Sequence, residues 1–538
     1  MIRINKLIIA GSLALSVIGT SCEKHWFDVN KDPNNAVESN ITPDLVAPVA
    51  ILNSANRTDV GFGFLGNWMG YTAPGANYAP GVEEQSYNIT TTFQTGIFTG
   101  LLDNAYDYQF MQRRAKESKQ TFYEGIARIM KANNFGQLVD VYGDVPYTEA
   151  LQGLVNIRPK YDDGKAVYED LIKQIDTAIT LIKGATVSDN VNIANADIMF
   201  NGSQSKWVKF ANTLKLRLLI HQVNRADRAA YVTAEIAKIV AEGSGFLGSG
   251  EDASVRPAYQ NDKPNSFYSS YGFTQTGTPA TDFWRANVTT MNFLKNNADP
   301  RLGAFYKPTV LTFPGGGAEP FTQPAPLNYR GNQYGLPINN TQYPYQVAGY
   351  VSELGGVSVG GAVTASAQGL VKGYNQPAWV MTSVEALFLR AEAVQRGLIA
   401  GDKEAAYKAA VLESFLWLNI GGSASAATAS FTTWYNNQDA ADNANVSYAD
   451  ATDKIKLILF QKYLAMNSTN NLETWTDYRR SGASFPTIPL SVNPGRTSST
   501  IPYRLLYTQA ELNVNTANVP QTGRKSGDQF TSKIWWMP

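Results

Sequence analysis

The chain has 538 residues, with 45 basic and 45 acidic side chains that cancel. That balance gives no sign of a nucleic-acid or other polyanion partner. A single cysteine, Cys22, excludes an internal disulfide, so packing alone must hold a fold long enough for one large domain or a few.

At the start of the chain, Arg3 and Lys6 precede an apolar run over 7–18 and then Gly19-Thr20-Ser21-Cys22. This is the layout of a secretory signal with a small-residue cleavage site, and the run is shorter than the roughly 20 residues a membrane span requires. A cysteine at the cleavage point predicts a lipoprotein signal over 1–21. Cys22 is then acylated on its thiol and, after cleavage, on its amino group. Two or three chains anchor a protein stably where one does not. Residues 22–41 read as a lipidated tether. Its Asp28-Val29-Asn30-Lys31-Asp32-Pro33-Asn34 run is a turn sequence, because Asn, Asp and Pro favour turns. A calcium loop there would need Gly where Pro33 stands and Glu where Ser39 stands.

Helical patterning then dominates. Thr42-Pro43 is a cap followed by proline in the first helical turn. Apolar residues recur at steps of three and four at Phe122, Ile126, Ile129 and Met130, and at Val167, Leu171, Ile175, Ile179 and Ile182. The same spacing recurs at Trp207, Phe210, Leu214 and Leu218, at Val384, Leu387, Phe388, Ala391 and Val394, and around Ile455, Ile458 and Leu459. Each set lines one helix face. Helices are expected over 164–183, 204–222, 227–241, 381–397 and 403–420, close enough in sequence to pair as hairpins. No fixed-period repeat is present, and no stretch after the signal approaches a membrane span. Long irregular regions are expected at 60–90, 243–285, 308–345 and 355–369, where Gly, Ser, Pro and aromatic residues gather; loops of that length usually carry function.

Catalytic patterns fail. Gly356-Val357-Ser358-Val359-Gly360 matches a nucleophile elbow, but that needs a strand-to-helix turn and a later histidine, and His25 and His221 both lie upstream. The same shortage of histidine argues against a histidine-based metal site, no phosphate loop is present, and no cofactor is implied. Glu83-Glu84 reads as a solvated acidic pair and His221 as a core or surface histidine. Abundant Tyr, Trp, Phe and Asn suit sugar or peptide binding, since rings stack on apolar faces and amides bond hydroxyls or peptide groups.

Several segments resemble the SusD/RagB family of outer-membrane lipoproteins of Bacteroidetes. They are the 28–34 turn, Tyr123-Glu124-Gly125-Ile126-Ala127-Arg128 through Val141-Tyr142-Gly143-Asp144-Val145-Pro146-Tyr147, and the run from Trp207 to Arg217. Glu385-Ala386-Leu387-Phe388-Leu389-Arg390-Ala391-Glu392-Ala393 and Trp475-Thr476-Asp477-Tyr478-Arg479-Arg480-Ser481-Gly482 follow, and the ending from Ile501 through Trp536 is similar to the starch-binding-associated subgroup. The resemblance implies a mostly α fold, a tetratricopeptide-like scaffold of helical pairs with long irregular loops and small β-hairpins, over a single domain at 42–538. It implies a cell-surface, lipid-anchored protein that performs no catalysis and caps a SusC-like TonB-dependent barrel to capture oligosaccharide for uptake. The same architecture could import oligopeptides, or serve as a scaffold subunit without a nutrient ligand. Trp68, Tyr71 and Tyr78, with Asn67 and Asn77 as polar partners, are the first ligand-binding candidates, because family members often place stacking residues in the corresponding early segment. Tyr268, Tyr271 and Trp284 are the second group. Trp207, Trp417, Trp475 and Trp535 are expected to be structural, and Arg479 and Arg480 to hold the fold.

Overall fold

The computed structural model describes residues 38–75, 81–281, 283–309, 324–336 and 350–538. The expected signal, Cys22, most of the 22–41 tether, Asn77, Tyr78 and much of the proline-rich 308–345 region lie outside the described residues.

The apolar stripes become helices that pack in antiparallel succession. After α1 (Pro43–Asn56) and the short α2 (Gly63–Trp68) come α3 (Thr95–Glu117), α4 (Thr121–Tyr142), α5 (Gly164–Lys183), α6 (Gln204–Ile220) and α7 (Ala229–Glu242). Each of α3 to α7 packs against the next. The stripe Val167, Leu171, Ile175, Ile179 and Ile182 is wholly buried. Helices α4 and α5 cross so closely that a Cβ on Gly125 would lie 2.5 Å from the Ile182 side chain. Further along lie α8 (Ser266–Tyr271), α9 (Ser383–Gln395), α10 (Lys403–Trp417), α11 (Ala424–Asp439), α12 (Lys454–Ala465) and α13 (Asn471–Ser481). Helix α9 packs on α10, and also on α6 and α12, which ties the later pairs to the earlier ones. Caps set many of these starts. The side chains of Asp163, Thr382, Asp402, Asp453 and Asn470 each accept a hydrogen bond from a backbone N–H three residues on, which stabilises each helix by about 1 kcal/mol.

The strands form three two-stranded antiparallel pairs: β1 (Thr72–Pro74) with β5 (Trp284–Ala286), β2 (Val145–Pro146) with β3 (Tyr161–Asp162), and β4 (Ala253–Val255) with β6 (Ala378–Met381). Two of the three join segments far apart in sequence, where hairpins were expected. The regions expected to be irregular also carry more structure than their glycine content suggests: α2 and β1 fall within 60–90, and β4 and α8 within 243–285.

At the centre sits a buried ionic network drawn from most of the helical pairs. Arg217 meets Glu385 at 2.5 Å, Lys462 bridges Glu473 at 3.0 Å and Asp477 at 2.8 Å, and Arg480 reaches both Glu392 and Asp477. His221 donates toward Glu473 at 2.9 Å and faces Tyr168 and Asp140 on its other side. Five buried carboxylates, Asp140, Glu385, Glu392, Glu473 and Asp477, thus share this centre with four buried cations, Arg217, Lys462, Arg479 and Arg480, of which Arg479 donates to the Asp140 carbonyl rather than to a carboxylate. His221, when protonated, supplies a fifth positive charge.

Burial works against that charge, but Glu473 and Asp140 outweigh it and push the His221 pKa up to about 9 from 6.5. Because the folded value lies above the unfolded one, the stabilisation is complete below pH 6.5 and is lost as pH rises through 9. It amounts to something on the order of 3 kcal/mol. The difference in unfolding free energy between the wild type and His221→Gln should therefore shrink from pH 6 to pH 10. A difference that stays flat with pH would show that the imidazole is not charged in the fold.

The C-terminal segment closes this centre as a strap. Trp475 Nε1 donates to the Pro502 carbonyl, Arg479 to that of Tyr503, and the Leu505 N–H to that of Val141. Trp536 Nε1 reaches the Asp140 carboxylate at 2.9 Å.

Candidate functional site

The early aromatic segment turns inward. Asn67, Trp68 and Tyr71 are buried, and none presents a face to a ligand. Trp68 lies edge-on to Phe64, Tyr87 and Trp475, with ring centroids 5.1, 5.8 and 5.9 Å away, and its Nε1 donates to the Glu84 carbonyl. Tyr71 stacks on Tyr463 at 4.8 Å and donates its hydroxyl to the Tyr463 carbonyl at 2.6 Å. Asn67 donates to the Glu84 carboxylate at 2.8 Å and accepts from Thr72 at 2.8 Å. Glu84 is accordingly not the solvated acid expected. Burial pushes its pKa up to about 7, although hydrogen bonds from Asn67 and Tyr334 favour the charged form.

Above this platform the β1–β5 pair builds a partly exposed aromatic ledge. Thr72 stands opposite Ala286 and Pro74 opposite Trp284, and the Gly75 N–H extends the clasp to the Phe283 carbonyl at 2.7 Å. Phe283 and Trp284 meet edge-to-face at 4.8 Å, and Trp284 meets Tyr271 at 5.8 Å. All three rings are partly exposed. Tyr271 and Trp284 close over Gly63, where a Cβ would come within 3.1 Å of the Tyr271 hydroxyl. Of the second candidate group, then, Tyr271 and Trp284 come together. Tyr268 does not join them: it is buried, and its hydroxyl accepts from the Gly361 N–H, pinning the Gly-rich 355–369 loop. Asn77 and Tyr78 follow Gly75 in sequence and lie outside the described residues. Phe283 was missed, and its signal was direct adjacency to Trp284.

The clasp holds three partly exposed aromatic rings together. Rings held in this way can stack on an apolar ligand face at low conformational cost. Among the described residues the ledge contains no nucleophile with a paired base. Ser358 sits in a loop with no strand before it and no helix after it, so the elbow geometry is lacking. Among the described residues, no group of three or more His, Cys, Asp or Glu side chains is placed to hold a metal ion, and no helix is long and apolar enough to cross a membrane.

A family model described as SusD-like, starch-binding associating with outer membrane, matches residues 34–508. The chain belongs to the SusD-like family. Solved structures share its fold. One named as a chitin-binding protein is 22% identical, with a TM-score of 0.71, over 92% of this chain and all (100%) of that one. A SusD homolog from Bacteroides fragilis is 20% identical, with a TM-score of 0.70, over 92% of this chain and 99% of its own. A chitin-binding SusD homolog from Flavobacterium johnsoniae is 20% identical, with a TM-score of 0.65, over 91% and 98%. No curated protein matches the chain. The SusD-like scaffold is mostly helical, as the patterning predicted, and the family it belongs to is associated with the outer membrane.

Proposed function

We propose that this SusD-like protein is a lipid-anchored, cell-surface binder of oligosaccharide that caps a TonB-dependent outer-membrane barrel and performs no catalysis. The observation that carries the ligand reading is the partly exposed ledge of Tyr271, Phe283 and Trp284 on the β1–β5 clasp. The starch-binding description of the family and the chitin-binding names of two structural neighbours support a glycan as the ligand. Pyranose rings present an apolar face to such a ledge, and neighbouring amides and hydroxyls fix which sugar is taken.

Calorimetry with malto- and chito-oligosaccharides and with a peptide panel tests this. Trp284→Ala should weaken glycan binding about tenfold, equivalent to about 1.4 kcal/mol, with the melting temperature little changed. Exclusive binding of peptides would replace the sugar reading with oligopeptide import. Co-purification with a barrel but no ligand of either kind would make the protein a scaffold subunit.

The anchor carries its own expectation. Cys22→Ala should yield a folded protein recovered in the soluble fraction, with impaired uptake. Membrane retention of the purified variant, or continued acylation, would sink the lipid-anchor assignment.

A further inference from the structure

A cavity of about 380 Å³ lies away from the ledge, between the β4–β6 pair, the end of α10 and the turn at 370–377. Its volume is at the small end of the 300–1,000 Å³ range of ligand sites. Trp379 and Trp417 form an aromatic corner, with ring centroids 5.3 Å apart at 85°. Leu370 and Leu416 add apolar wall.

The polar groups divide into two kinds. Asp252 accepts from the Ser383 N–H at 2.7 Å and from Trp417 Nε1 at 3.1 Å. Glu413 accepts from the Gly250 N–H at 2.9 Å and from the hydroxyls of Ser249 and Ser383. Both carboxylates are fixed by the protein and still have lone pairs to offer. Opposite them, the Lys372 amine lies 4.6 Å from the centroid of the Trp417 ring and donates to the Trp417 carbonyl, which leaves N–H donors for a ligand. No carboxylate comes within ion-pair distance of Lys372 among the described residues.

Two carboxylates and one amine leave the cavity without positive excess, which disfavours a ligand anion, and a ligand cation would have to share the carboxylates with Lys372. Fixed acceptors facing a donor-only amine match groups that both donate and accept, and hydroxyls do. We propose that the cavity is a second ligand site of this protein, one that takes a single neutral sugar ring with its hydroxyls bridging Lys372 and Asp252 against the Trp417 ring. The proposal goes beyond the ledge reading and borrows from it only the class of ligand. The two sites share no residue. They are joined through the core by an aromatic row in which Trp379 meets Phe267 at 5.3 Å and Phe267 meets Tyr271 at 4.6 Å.

Lys372 provides a local probe. Burial pushes its pKa down to about 8, so near that pH its amine is more often unprotonated than an ordinary lysine. Acetylation at pH 8 followed by peptide mass spectrometry reads this one side chain in the folded wild type. Glucose, galactose, mannose and N-acetylglucosamine are the neutral probes; glucuronate and glucosamine are the charged ones. At least one neutral sugar should slow Lys372 acetylation fivefold or more, and should do so equally in Trp284→Ala, where the ledge is damaged. Lys372→Met should remove a binding event of one sugar per chain in calorimetry without lowering the melting temperature.

Sugar binding that is abolished by Trp284→Ala and leaves Lys372 unprotected would overturn the second site while leaving the ledge intact. Protection by glucuronate or glucosamine as strong as by the neutral sugars would overturn the neutral-sugar assignment. No protection by any probe, with oligosaccharide binding at the ledge retained, would overturn the proposal alone. Loss of both would overturn it together with the glycan reading.

Discussion

Arg480→Ala should cost about 3–5 kcal/mol of stability, the range expected when one partner of a buried ion pair is removed. Arg480 is fully buried, grips both oxygens of Glu392 at 2.9 and 2.7 Å, and reaches Asp477 through Nε at 2.7 Å. Burial alone would raise the pKa of Glu392, yet Arg480 and Arg396 hold it down at about 2. Without the guanidinium, Glu392 keeps only Arg396, at 2.9 Å, and Asp477 keeps Lys462. Against a typical total of about 5–15 kcal/mol, such a loss should be visible as reduced soluble yield as well as in denaturant unfolding. The double variant Arg480→Met with Glu392→Met should recover part of it, because the buried Glu392 charge leaves together with its buried partner and only the partly exposed Arg396 loses a carboxylate. A loss under about 1 kcal/mol in the single variant would show that the network is not closed as described.

Trp68→Ala should destabilise the protein by about 3–5 kcal/mol, the cost of emptying a large buried aromatic site. The ring touches Phe64, Tyr87 and Trp475 edge-on and stacks on Phe93 at 6.1 Å. Ligand affinity per folded molecule should be unchanged, because no edge of Trp68 reaches the ledge surface. The opposite result, normal stability with lost ligand binding, would return the early segment to the role its sequence suggests. Measuring unfolding and calorimetry on one preparation separates the two outcomes.

The helical scaffold was legible because its signal is local. The 164–183, 204–222 and 403–420 segments appear as Gly164–Lys183, Gln204–Ile220 and Lys403–Trp417, with starts set by short-range caps where these are present. The ledge and the second cavity were less legible because their geometry is non-local. Nothing around Trp68 says that Trp475 will cover it, and nothing around Trp284 says that Pro74 will stand opposite. Glycine misled in the early segment. Gly63 and Gly66 suggest a loop by their low helix propensity, yet each serves close packing inside a short helix; a Cβ on Gly66 would lie 3.1 Å from the Thr72 hydroxyl. Charge patterning misled too. Glu84 looks like half of a solvated pair until Asn67 and Tyr334 are seen to enclose it. Trp417, expected to be structural from its helical setting, packs against the core and also walls a cavity.

The C-terminal strap bears on the order in which the molecule can fold. The carboxylate of Asp140 on α4 is completed by Trp536, 396 residues later, and the Arg479 guanidinium needs the Tyr503 carbonyl. The earlier helical pairs can form while the rest of the chain is still being made, since their contacts are short in sequence. The polar contacts of Asp140 and Arg479 cannot be complete until the last residues arrive. The helical pairs therefore stand before the chain is whole, and its last residues complete the polar contacts buried between them.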